Sequence, residues 1–134
     1  MPRIGIIIVG CCLVGLSACQ TTVPSYPGDH LYVANCSSCH GIFGEGDGPV
    51  SAVLNISMQD LRYLTARNRG AFPRQLVTKI IDGRELRVAH GQREMPVWGE
   101  EFLIMEGFDD DAEERVNAKI NALVDHLESI QVSE

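Results

Sequence analysis

Five consecutive residues, Cys36-Ser37-Ser38-Cys39-His40, constrain this chain more than any other feature. On a helical turn, residues three apart share a face. Two thiols at this spacing can reach two points on one flat partner, and the next residue is carried beneath it. C-x-x-C-H reads as a c-type haem attachment site. The thiols form thioethers, and the imidazole binds iron. Two other uses of paired cysteines fit less well. A dithiol oxidoreductase expects a βαβ pattern around C-x-x-C, and no strand pattern surrounds this pair. A zinc site needs four ligands, whereas His30, His90 and His126 are scattered.

The chain begins with one charge, Arg3, followed by an apolar or small stretch from Ile4 to Leu16. A positive start, a short apolar run and small residues describe an export signal. The run falls short of the roughly 18–20 residues of a membrane span. It ends Leu16-Ser17-Ala18-Cys19, which resembles the bacterial lipoprotein signal. The resemblance implies that residues 1–18 are removed and that Cys19 becomes the acylated first residue. Residues 19–26 then read as a polar, proline-marked tether, and 27–134 as the domain. Several acyl chains anchor stably where one does not. The implied location is the periplasmic side of a bacterial membrane. Gln20 in place of aspartate favours the outer membrane. Cys11 and Cys12 leave with the signal, so Cys36 and Cys39 are the thiols left for chemistry. A disulfide between them would close too small a loop to stabilise much.

After the haem motif come Gly41, Gly44, Gly46, Asp47, Gly48 and Pro49. Glycines at this density let a backbone lie close to a flat cofactor. Together these residues resemble the CHG…GxGxGP segment of the class I cytochrome c family, over roughly 27–130. The resemblance implies an all-α fold, about four helices around one covalently bound haem c. It also implies that the Pro49 carbonyl accepts a bond from His40, fixing the imidazole tautomer.

Iron needs a ligand on its other face. Met95 is the best candidate, in Met95-Pro96-Val97-Trp98, which is similar to the family's M-P-x-W/F motif. Pro96 keeps the preceding residue out of a helix, so Met95 lies on a loop and can turn toward the haem. A thioether ligand raises the potential. Met58, Met105 and His90 are rivals, Met105 being more simply core. Trp98 is expected to pack on the haem.

The rest reads as helices. A first covers about Pro27 to Ser38, with Ser25 as its cap. A second starts near Ser57, with Asp60 three residues on, and runs to about Arg67. A third covers Pro73 to Ile81 and ends at Gly83. In the last, Val116, Ile120, Leu123, Val124, Leu127 and Ile130 recur at three- and four-residue steps. The family packs its last helix across its first, and His126-Leu127 stands where it often has Tyr-Leu. No stretch alternates with period two, so little or no sheet is expected.

The 134 residues carry a net charge of −7, which argues against a nucleic-acid partner. Charge lies in blocks: between Arg62 and Arg93 eight basic residues face two acidic ones, and from Glu94 onward twelve acidic residues face two basic. Such blocks either form a dipole that orients a redox partner or are solvated helix faces. Arg62, Arg67 and Arg93 are candidate partners of haem propionates. With both axial positions filled and no nucleophile–base pair near the motifs, the expectation is one-electron transfer between redox partner proteins, not catalysis. The sequence names neither donor nor acceptor. The alternative is a haem-based sensor or small-ligand binder with a displaceable sixth ligand.

Overall fold

The computed structural model describes residues 25–54, 56–85 and 95–132. Among them are seven α-helices, one 3₁₀ turn and no strand. In chain order the helices are α1 (Gly28–Asn35), α2 (Ser37–His40), α3 (Pro49–Leu54), α4 (Leu64–Arg67), α5 (Arg74–Asp82), α6 (Trp98–Glu106) and α7 (Ala112–Ser129). The 3₁₀ turn, Leu61–Tyr63, leads directly into α4. The all-α expectation holds, with more and shorter helices than about four. No helix among the described residues is long and apolar enough to cross a membrane.

Helix α7 organises the packing. Its periodic residues Val116, Ile120, Leu123, Val124 and Leu127 are buried, the stripe expected of an amphipathic helix. Helices α1, α5 and α6 all pack against it. Tyr32 from α1 and Phe102 from α6 complete the fully buried core. Gly28 sets how closely α1 crosses α7, since a Cβ there would lie 2.1 Å from the Ala122 carbonyl oxygen.

Several boundaries differ from the sequence expectation. The first helix breaks at Cys36, which takes φ −120°. The Cys36 N–H still closes the last turn of α1 onto Tyr32 O at 2.8 Å, and the His40 N–H starts a new turn on Cys36 O at 2.9 Å. The break re-aims the turn that carries Cys39 and His40. Pro27, not Ser25, is the N-cap, and no side chain caps α1. The helix expected from Ser57 starts later. Residues 56–60 carry no regular structure, and Asp60 caps the 3₁₀ turn by accepting from Arg62 N at 2.9 Å. Helix α5 sits between Pro73 and Gly83 as expected, with Gly83 left-handed at φ 72°. Helices α3 and α6 were not anticipated. Met105 on α6 is 62% exposed, so it is not core.

The charge blocks fold onto one another. Arg74 pairs with Asp125 at 2.7 Å and with Glu128. Arg84 pairs with Asp82 at 2.7 Å and Glu113 at 2.8 Å. These contacts oppose basic and acidic blocks side by side and reduce the dipole that the linear sequence suggests. Lys119 pairs with Glu106 and lies over the rings of Tyr26 (5.1 Å) and Phe102 (5.4 Å). Tyr26, at the end of the expected tether, is thereby seated on α7.

Candidate cofactor site

The four-residue helix α2 carries Cys39 and His40. The chain then turns back on itself. Gly44 N–H bonds to Gly41 O at 3.2 Å, and Gly46 N–H to His40 O at 2.8 Å. A Cβ at Gly48 would lie 2.5 Å from the Cys39 carbonyl and from Ser38 O. Only glycine lets the chain press against the attachment turn here, and α3 begins at the next residue. Leu61 N–H bonds to Gly44 O at 2.7 Å, which ties the 3₁₀ turn to the same loop.

Two cavities meet at the attachment residues. One, of about 300 Å³, has apolar walls that include Tyr32, Leu61, Leu64, Val77, Ile81 and Leu127. The other, of about 390 Å³, is lined by Asn35, Cys39, Pro96 and Trp98 among others. Both volumes fall in the ordinary range of cofactor sites, roughly 300–1,000 Å³. Four residues line both cavities: Cys36, His40, Met58 and Met95. The sequence-predicted residues Cys36, Cys39, His40, Met95 and Trp98 are thus brought together. Trp98 opens α6 and stacks at a tilt on Phe102, centroids 5.4 Å apart.

The chemistry of this donor set fits a haem. It offers two thiols, one imidazole and two thioethers in apolar walls. Burial pushes the His40 pKa below the usual imidazole range, which keeps the ring neutral, the form that binds metal. His40 Nδ1 is buried with no hydrogen-bond partner. Burial first, and then neighbouring Cys39, push the Cys36 thiol up to about 12. Among the described residues, no group of three or more His, Cys, Asp or Glu could hold a bare metal ion.

One implied contact is not formed. The Pro49 carbonyl does not receive a bond from His40, whose Nδ1 has no partner. Pro49 is the first residue of α3, and a carbonyl there points along the helix axis toward residue i+4. Two candidate propionate partners are otherwise engaged. Arg62 bonds Asp60 at 2.7 Å and also Glu45, while Arg67 donates to Asp60 O. Arg93, His90 and Cys19 lie outside the described residues. Met58, a minor rival in the sequence, stands beside Met95 in both linings. No periodicity marks its stretch, and it is the fold that brings it into both linings. Tyr32, buried on α1, also lines the first cavity.

One protein-family model, described as cytochrome c oxidase, cbb3-type, subunit III, matches residues 26–110. That span runs from the start of α1 past the end of α6 and takes in both cavities' sulfur and imidazole donors. No curated protein and no solved structure shows a significant match to the chain.

Proposed function

From the premise that the chain belongs to the cytochrome c oxidase, cbb3-type, subunit III family and is a haem c-type cytochrome, we propose that it is a monohaem carrier of single electrons between partner proteins. Cys36 and Cys39 would hold the haem covalently, and His40 and Met95 would take its two axial positions. The observation that carries this reading is the shared lining. His40 and Met95 both border both cavities beside Cys36.

The haem supplies reversible one-electron chemistry at its iron. The chain's own residues do the rest. His40 is neutral and needs no proton removed before it can bind. Met95, next to Pro96, presents a thioether, which favours the reduced state. Leu61, Leu64, Val77 and Ile81 would wall the haem with apolar surface on one side, and Trp98 lines the other. No proton transfer or nucleophile is required. A signal peptide at 1–18 and acylation at Cys19 would tether the domain to the periplasmic side of a bacterial membrane, with the outer membrane favoured.

Absorption spectra of the haem-loaded protein, oxidised and reduced, with and without carbon monoxide, test the reading. A weak far-red sulfur-to-iron band in the oxidised form, lost in Met95→Ala, with no carbon monoxide response in the reduced wild type, is the expected result. A fast carbon monoxide shift in the wild type would replace the carrier with a ligand-sensing protein. Survival of the band in Met95→Ala, with its loss in Met58→Leu, would move the axial assignment to Met58.

A further inference from the structure

The corner between α6 and α7 presents apolar surface that the fold leaves uncovered. Ile104 and Met105, in the last turn of α6, are 61% and 62% exposed. Phe108, two residues past the end of that helix, is 68% exposed. Among the described residues, Phe108 is also one of two non-glycine residues with a left-handed backbone, at φ 60°. That region suits glycine or asparagine, and a bulky side chain there is an outlier. A ring turned outward gains little burial to offset the strain. Folding alone gives no reason for phenylalanine at this position.

The corner is braced on both sides of that ring. Helix α6 ends at Gly107, whose N–H bonds Leu103 O at 3.2 Å. Arg115 of α7 donates to Glu106 O at 3.1 Å and to the Asp109 carboxylate at 2.8 and 2.9 Å. Ala112 N–H closes on Asp109 O at 3.1 Å. Phe108 thus stands between two fixed residues, Glu106 and Asp109.

The rim of this surface has one sign. From Glu100 to Glu114 there are eight acidic residues and no basic one. Arg115 and Lys119 pair with Glu106, and Arg115 also with Asp109. Asp110, Asp111 and Glu114 are exposed and form no ion pair among the described residues. This charge sorts the occupants. An anionic lipid surface is repelled, and a second copy of the chain brings the same sign to the contact. A basic protein surface with an apolar centre complements both features. Aromatic and methionine side chains at the centre, with charge at the rim, are the usual make-up of protein contacts. Ile104, Met105 and Phe108 line neither cavity, and α6 runs roughly 12 Å from Trp98 to this end.

We propose that the α6–α7 corner is a docking surface for a basic protein partner. Phe108, with Ile104 and Met105, is its apolar centre, and Asp110, Asp111 and Glu114 are its rim. The surface stands apart from the cofactor cavities, and the proposal does not rest on the axial assignment.

The test uses the haem-loaded protein, labelled with nitrogen-15, and an amphipathic leucine–lysine peptide as the probe. A lysine–serine peptide of the same length and charge is the control. The expected result is amide shifts centred on residues 104–111, with binding that weakens as salt is added. Phe108→Asn should weaken it about tenfold or more, and Asp110→Asn with Asp111→Asn should weaken it and flatten its salt dependence. Val53→Ser, which removes a side chain 83% exposed on α3, should leave it unchanged. Asparagine accepts the left-handed backbone, so Phe108→Asn should hold or raise the denaturant midpoint. A lowered midpoint would make Phe108 a folding residue and overturn the proposal. Shifts centred elsewhere, an equal loss in Val53→Ser, or equal binding of the lysine–serine peptide would also overturn it. So would self-association in sedimentation, or binding to phosphatidylcholine vesicles, that is lost in Phe108→Asn, since the occupant would then be a second copy or a lipid surface.

Discussion

The two halves of this molecule are built on different terms. The α6–α7 core is satisfied by protein alone: Phe102, Val116, Ile120 and Val124 are each at most 2% exposed and line neither cavity. The cavity side is made of short helices, a glycine loop and side chains that stop half-buried, among them Cys36, Leu61, Leu64, Met95 and Trp98. Their apolar surfaces face a space rather than one another. One half is a finished hydrophobic core, and the other is a mould whose remaining burial energy comes with its occupant. Ligand binding to the folded state then adds stability by mass action, or permanently where the bond is covalent.

Removing the proposed thioether link is the largest way to separate the halves. Cys36→Ala with Cys39→Ala should abolish haem staining after denaturing electrophoresis while leaving much of the far-ultraviolet helical signal. Complete loss of helix would mean that the core depends on the mould. Phe102→Ala comes next. It should cost about 3–5 kcal/mol in denaturant titration, with or without haem, because its neighbours are protein. Leu64→Ala sharpens the contrast. It should cost about 2–3 kcal/mol in the loaded protein and clearly less in the haem-free one, where the side chain is only half-buried. Equal costs would erase the distinction.

Asp60→Ala is smaller, about 1 kcal/mol from the lost cap, and it leaves Arg62 paired with Glu45. The smallest effect is on pH. His126 is half-buried, and burial lowers its pKa below 6.5, with Asp29 pulling the other way. Asp125 lines the same shallow pocket as His126 and Asp29. The folded state prefers the neutral ring, while the unfolded chain takes up its proton near pH 6.5. Stability is therefore full above that pH and falls as the pH drops through the folded value. His126→Gln should flatten this part of the stability–pH profile.

What was legible in the sequence follows the same division. The terminal helix was readable because one of its faces is buried along its length, so period and burial coincide. Helix α5 was readable from Pro73 and Gly83, which act locally. The donor residues were readable because C-x-x-C-H and Met-Pro-x-Trp are local patterns. The mould was less so. Helix α3 has six residues and one buried side chain, Ser51, too little for any period. In α6 the run Phe102-Leu103-Ile104-Met105 is apolar on every face, although only Phe102 of the four is buried. The break at Cys36 serves the attachment geometry and leaves no mark in composition. Asp60 carries a capping signal at either helix start, and its bond to Arg62 N decides which is used. Charge blocks left a dipole and solvated faces both open, and the crossing pairs of Arg74 and Arg84 are set by the fold.

The burial of Cys36 has a consequence for biogenesis. Thiolates, not thiols, are the reactive form, and Cys36 within the fold is held up to about 12. A chain that closed first would keep the Cys36 thiol protonated and partly buried at the end of α1. With the thioether attachment proposed above, the productive order is reaction on an open chain, then closure. On that order maturation is a race between two clocks, haem attachment and the docking of α1 on α7, and slowing the second is as useful as hastening the first.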